Sequence, residues 1–215
     1  MDNTQQMPPE RHIGAVNWVG LGTLYGKECR RFFKVWLQTI VAPTITSMLF
    51  LAVFSLALGR AVPEIGGVSF LQFMAPGLIV MAMMQNAFAN TSSSLMISKV
   101  QGNVVDVLMP PLSPGELLIG FAMGGVSRGL VVAVVLSLVM LPFVHLEVHH
   151  FGFLLLHAFA ASMMLSLLGL LTAIWAEKFD QLAAVTNFVI TPLAFLSGTF
   201  YSIERLPEPL LTASQ

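Results

Sequence analysis

The distance between charges limits this chain more than any motif does. No Asp, Glu, Lys or Arg occurs from Val35 to Gly59, from Ile65 to Ser98, or from Gln181 to Ile203. Leu117 to Leu146 carries only Arg128, and Val148 to Ala176 contains three histidines but no formal charge. A helix needs about 20 apolar residues to cross the hydrocarbon core, and each interval can hold one. Only helices and closed barrels satisfy their backbone in lipid. Barrel strands would show ~10-residue segments of alternating polarity, which these runs lack. The expectation is an all-α polytopic membrane protein with five spans, near Val35–Leu58, Leu71–Asn90, Leu117–Met140, Phe151–Trp175 and Phe188–Phe200. Composition agrees: 56% of residues are hydrophobic and 10% charged, against roughly 25% charged in soluble domains.

Lys and Arg in the flanks set the orientation. Arg11, Lys27, Arg30, Arg31 and Lys34 precede the first span, Lys99 follows the second and Lys178 the fourth, while Arg60 and Arg205 fall on the other side. This places the N-terminus in the cytoplasm. The first eighteen residues lack the apolar core of a cleavable signal, so the first span is expected to act as an uncleaved signal anchor. The organisation expected is a flexible cytoplasmic segment (1–16) and one transmembrane domain (17–215). That domain comprises an interfacial helix (17–34), a cytoplasmic loop (98–116) and an external short-helix or re-entrant region (198–215). A net charge of −1 gives no electrostatic case for nucleic acid, and the lone Cys29 excludes an internal disulfide.

Trp18, Leu21, Tyr25, Cys29, Phe32 and Trp36 follow helical spacing, with Lys27, Arg30, Arg31 and Lys34 projecting from the opposite face. Such a helix suits the cytoplasmic lipid interface; packing against a soluble partner is the alternative. Gly20, Gly22, Gly26 and Lys27 superficially resemble a P-loop. That motif needs glycine five residues before the Gly-Lys pair and Ser or Thr after it, and Leu21 and Glu28 stand there. No ATP site is expected in this chain.

In the loop, Lys99 to Leu108 can form a short helix with Val104, Val105 and Leu108 on one side, stopped by Pro110-Pro111. Ser113-Pro114-Gly115-Glu116 reads as a capping box that starts the third span. The short helix either transmits force from a soluble partner or is an ordinary ordered loop.

Arg128 is the one formal charge deep within a span, where ionisable groups are costly and face a polar partner or a cavity. Gln85, Asn86 and Asn90 of the second span offer such partners. Structural glue is the favoured role and direct substrate contact the other. Gly120–Gly124 and Gly125–Gly129 have the spacing of close helix approach. His145, His149, His150 and His157, with Glu147 among them, lack zinc-protease spacing, and no metal is expected. Met74, Met81, Met83 and Met84 read as apolar packing.

The segment Asn187-Phe-Val-Ile-Thr-Pro192-Leu-Ala-Phe-Leu-Ser197-Gly198-Thr-Phe200-Tyr201-Ser-Ile-Glu-Arg-Leu-Pro207 resembles the C-terminal signature of type-2 ABC exporter permeases, with Pro192, Ser197, Gly198, Phe200, Tyr201 and Pro207 carrying it. Gly102 to Ser113 resembles that family's first coupling segment, and the amphipathic N-terminal helix its connecting helix. The sequence departs in two ways: six spans are the family norm, whereas this one stops at Gln215, and Gln101 stands where a charged residue often precedes the glycine.

The resemblance implies the non-enzymatic permease subunit of a bacterial ABC exporter in the plasma (inner) membrane. It implies a homodimer with two copies of a cytoplasmic ATPase, docked through Val104, Val105, Asp106 and Leu108. ATP-Mg would sit on that partner and no cofactor on this chain. Cargo would be lipid-like, glycan or drug-like, moved outward among membrane lipids. The alternative is an ion- or proton-coupled secondary transporter centred on Arg128, against which the spans hold no Asp or Glu to relay protons. An intramembrane hydrolase lacks a Ser–His pair or carboxylate dyad at depth.

Overall fold

The computed structural model describes residues 14–58, 64–65, 67–145 and 150–196. Helix α1 (Trp18–Lys34) starts at Asn17, whose side-chain oxygen accepts from the Gly20 N–H at 2.9 Å, a capping bond that satisfies an otherwise orphan donor. It ends with Arg31 and Lys34 in its last turn, where cations oppose the helix dipole. Thr39 Oγ1 then donates back to the carbonyls of Phe32 and Val35, at 3.0 and 3.1 Å.

A π-helical turn (Leu37–Val41) leads directly into α2 (Ala42–Leu58). The same device recurs late in the chain, where α7 (Phe179–Val185) passes through a π turn (Thr186–Ile190) into α8 (Thr191–Leu196). Each turn is followed two residues on by a proline, Pro43 or Pro192. In an α-helix a proline ring clashes with the carbonyl four residues back. Here the N–H just before each proline reaches five residues back instead, from Ala42 to the Leu37 carbonyl and from Thr191 to the Thr186 carbonyl. The wider turn makes room for the ring.

Between α2 and α3 lies a two-residue antiparallel ladder of β1 (Glu64–Ile65) and β2 (Val68–Ser69). Ser69 and Gln72 form a capping box that opens α3 (Phe70–Val100), 31 residues long. At 1.5 Å per residue that is about 46 Å, more than the roughly 30 Å hydrocarbon core. The expected second span, Leu71–Asn90, lies within this helix, and the polar run Thr91-Ser-Ser-Ser94 could have ended the helix there. The helix instead continues, because Ser93 and Ser98 return their hydroxyls to the carbonyls of Ala89 and Ser94 and so do not compete with it. The loop is correspondingly shorter than 98–116.

After α4 (Val104–Leu108), α5 (Pro114–Met140) starts on the Ser113–Glu116 capping box with Pro114 in its first turn. Helix α6 spans Phe151–Trp175, the bounds read from the sequence. Among the described residues four helices are long and apolar enough to cross a membrane, and Phe179–Phe195 is an apolar but shorter helical stretch. The helical stretch that holds the start of the fifth expected span begins at Phe179, ahead of Phe188; the end expected at Phe200 lies outside the described residues.

The centre is the packing of α3, α5 and α6. A Cβ on Gly125 would stand 2.9 Å from the Ala87 carbonyl oxygen, one on Gly129 2.9 Å from that of Met83, and one on Gly169 2.5 Å from that of Phe88. Close approach of this kind is how lipid-immersed helices gain packing contacts. Thr91 Oγ1 donates to the Ser166 carbonyl at 2.7 Å, and Ser166 Oγ to the Ala122 carbonyl at 2.9 Å. Gly120 and Gly124 serve a different face, where a Cβ would meet Leu24 and Glu28 of α1.

Candidate functional site

The short helix α4 is fastened at both ends. Gly102 takes a left-handed turn (φ 73°) after α3, a conformation glycine adopts at little cost. Beyond α4, the Pro111 carbonyl accepts from Asn17 Nδ2 at 3.1 Å, and the Glu116 carboxylate accepts from the backbone N–H groups of both Ser113 and Asn17. The capping box of α5 thus also holds the start of α1. Val107 turns inward and packs with Leu24, Phe121 and Leu170. Val105 and Leu108 point outward at 54% and 62% exposure, followed by Met109 at 76%. Asp106 is exposed and Val104 half-buried. The sequence grouped Val104 with Val105 and Leu108; Val104 leans towards the core, and Met109 completes the exposed apolar edge.

A second feature is a polar layer within the helices. Arg128 of α5 directs Nε and Nη2 at one atom, Asn86 Oδ1, at 3.2 and 2.9 Å. Asn86 in turn donates to the Ala82 carbonyl. Gln85 makes no hydrogen bond to Arg128; its side chain lines a cavity of about 320 Å³ between α2, α3 and α5, with Gln38, Ser47, Phe50 and Arg128. Asn90 belongs elsewhere. Its side-chain and main-chain oxygens accept from Arg31 Nη2 at 2.9 and 2.6 Å.

That second cluster holds the one charged pair that the sequence did not single out. Glu28 is fully buried, its Oε1 accepting from Ser94 Oγ at 2.7 Å and its Oε2 lying 3.3 Å from Arg31 Nη2. Arg31 Nη1 reaches Ser93 Oγ at 3.2 Å. A buried charge needs a partner and hydrogen bonds together, and α1 and α3 supply them jointly. The expected face of α1 is therefore offset. Leu24, Glu28 and Phe32 are its buried line, Trp18 and Trp36 are exposed at 74% and 52%, and Arg31 turns inward instead of projecting with Lys27, Arg30 and Lys34. Tyr25 reaches Ser127 of α5 at 2.8 Å, and Cys29 is half-buried. The Glu28–Arg31 spacing of three, on one helical face, was the available signal.

Lys99, at the end of α3, donates to the carbonyls of Ala173, Ile174 and Ala176. It thereby satisfies the unpaired end of α6. His157 Nδ1 lies 2.9 Å from the Phe153 carbonyl oxygen, and His145 and His150 are exposed. His149 and Glu147 lie outside the described residues. Among the described residues no group of three or more His, Cys, Asp or Glu gathers as a metal site. Met74 and Met83 are buried in packing, while Met81 and Met84 are half-buried. Of the C-terminal signature, Pro192 sits in α8; Ser197, Gly198, Phe200, Tyr201 and Pro207 lie outside the described residues.

A family model described as ABC-2 type transporter matches residues 20–213. The inner membrane transport permease YadH of Escherichia coli K12 is 38% identical over 190 residues, covering 88% of this chain and 74% of its own length. Nodulation protein J of Rhizobium leguminosarum bv. trifolii is 26% identical over 222 residues, 94% of this chain and 76% of that protein. Nodulation protein J of Neorhizobium galegae is 22% identical over 203 residues, covering 92% and 74%. No solved structure matches significantly.

Proposed function

Because this chain belongs to the ABC-2 type transporter family, we propose that it is a multi-pass inner-membrane exporter subunit driven by ATP hydrolysed on a separate protein. Two copies would pair with each other and with two ATPase subunits, the N-terminus on the cytoplasmic side. Closure of the ATPases on ATP-Mg would then rock the membrane halves and release a lipid-like, glycan or drug-like molecule outward. The excess of Lys and Arg beside α1, α3 and α7 supports that orientation.

The observation that carries the reading is the outer edge of α4. Val105, Leu108 and Met109 are exposed on a helix of five residues that is anchored through Val107 and flanked by tethered turns. An apolar knob on a braced support suits a groove in a soluble protein. Force applied there passes to α3 through Gly102 and to α5 through Ser113.

The test replaces the knob without touching its anchor. Val105→Asp and Leu108→Asp should abolish co-purification of ATP-hydrolysing activity with the tagged chain while leaving membrane insertion and gel-filtration behaviour intact. Undiminished ATPase co-purification in both variants would remove α4 from the interface.

A further inference from the structure

Arg128 is short of partners. Its guanidinium has five N–H donors, and the single acceptor that two of its nitrogens reach among the described residues is Asn86 Oδ1. The one ion pair among the described residues is Arg31 with Glu28, so no carboxylate balances Arg128. Such an arrangement in lipid calls for an anion, because an ionised group at that depth costs several kcal/mol unless it is compensated. Glu28, beside Gly124 one helical turn away, is already engaged by Arg31 and Ser94, and a second copy has no further anion to lend within its spans. The stretches 35–59, 65–98, 117–146, 148–176 and 181–203 contain no Asp or Glu.

The space beside Arg128 is built to receive such a group. The cavity of about 320 Å³ lies at the lower end of the ~300–1,000 Å³ usual for small-molecule sites. One wall is polar: Arg128 with the side-chain amides of Gln38 and Gln85, neither of which has a hydrogen-bond partner among the described residues. The other wall is apolar, formed by Phe50, Leu78 and Met81. A guanidinium with uncommitted N–H groups binds phosphate or carboxylate in bidentate fashion, while an apolar wall favours an alkyl chain.

We propose that this cleft between α2, α3 and α5 binds the anionic head group, phosphate or carboxylate, of an amphiphile whose tail runs along Phe50, Leu78 and Met81. Arg128 supplies the charge, and Gln38 and Gln85 donate to the remaining oxygens. In taking this amphiphile to be cargo, the assignment rests on the exporter reading above; the binding itself does not. Structural glue, the role favoured from sequence, accounts for the bonds to Asn86 but gives no role to the rest of the guanidinium or to the two amides that line the cleft beside it.

The test measures binding of tritiated dodecyl phosphate to the full chain in dodecyl maltoside, after subtracting micelle partition measured without protein. One site per chain is expected, displaced by unlabelled dodecyl phosphate and not by dodecanol or by inorganic phosphate at the same concentration. Arg128→Gln should weaken binding at least tenfold. Two further variants keep Arg128. Thr46→Trp fills the mouth of the cleft from an exposed position, and Asn86→Asp supplies an internal carboxylate. Both should weaken binding at least tenfold, and gel filtration should show both variants eluting as folded protein, Asn86→Asp trading its bond to the Ala82 carbonyl for a charged pair with the arginine. Unchanged affinity in a folded Arg128→Gln or Asn86→Asp variant would overturn the site. Displacement by inorganic phosphate at equal concentration would overturn the amphiphile in favour of a plain anion. Loss of co-purifying ATPase enters none of these readouts, so failure of the exporter reading is seen separately.

Discussion

Gly169→Ala should loosen the centre of the molecule, and the structure sets the scale. The new methyl carbon would lie 2.5 Å from the Phe88 carbonyl oxygen and 2.5 Å from Thr91 Oγ1. The hydroxyl can rotate away, but the carbonyl belongs to the backbone of α3, so α3 and α6 must part. Comfortable contact needs about 3.5 Å, a separation of up to roughly 1 Å. Overpacking of this kind costs about 1–3 kcal/mol. Losing the Thr91–Ser166 hydrogen bond between the same helices adds about 0.6 kcal/mol, the average measured for such bonds in membranes. Better helix propensity returns up to ~1 kcal/mol. The net is a loss of about 1–3 kcal/mol, or a fall in Tm of about 2–12 °C for a chain this size. The assay is thermal unfolding in dodecyl maltoside, followed by reaction of Cys29 with a thiol dye. Gly22→Ala is the control, since nothing lies within 4 Å of a Cβ there, and it should melt no lower than wild type. Equal melting of Gly169→Ala and wild type, or an equal fall in both variants, would refute the reasoning.

Glu28→Gln should cost about 2–4 kcal/mol, because it leaves Arg31 against a buried neutral group. The double variant Glu28→Gln with Arg31→Met should lose at least ~1 kcal/mol less than the summed singles, as read from the same melts; strict additivity would show that the pair is not coupled. Ser113→Ala removes the acceptor for the Glu116 N–H and should cost about 1 kcal/mol. The same change at Ser127, which caps no helix and loses only an exposed hydrogen bond to Tyr25, should cost less, and the reverse order would remove the cap from the account.

The long helices were legible because lipid leaves the chain few options: uncharged intervals of sufficient length become helices, and Phe151–Trp175 could be read to the residue. The end of α3 was not, because Thr and Ser look alike whether they stop a helix or fold their hydroxyls back onto it. The choice among Gln85, Asn86 and Asn90 needed three dimensions. Gln85 and Asn86 point about 100° apart, so a partner that meets one squarely misses the other. Asn90 shares a face with Asn86 one turn on, where Arg31 reaches it first. Glu28 was hidden by the sound rule that charges face water, a rule that fails when an adjacent helix brings a serine and its own helix an arginine. In the loop, the period marked Val104, Val105 and Leu108 as apolar without showing that Val107 is the residue turned inward.

The two proline-linked π turns leave each of their helices with a residue to spare. Every residue beyond such a turn sits about 100° behind, and about 1.5 Å short of, its place in an unbroken α-helix. Were the Leu37–Val41 turn to tighten to α geometry, the whole of α2 would rotate by that step about its own axis, carrying Thr46, Ser47 and Phe50 round together without breaking more than a single turn of hydrogen bonds. The proline ring resists that tightening, since it would bring the Thr39 carbonyl back against Pro43. A relative without proline at that position is free to dispense with the extra residue, and an alignment through the segment should then open a one-residue gap at Leu37–Val41, with the phase of its first span shifted to match.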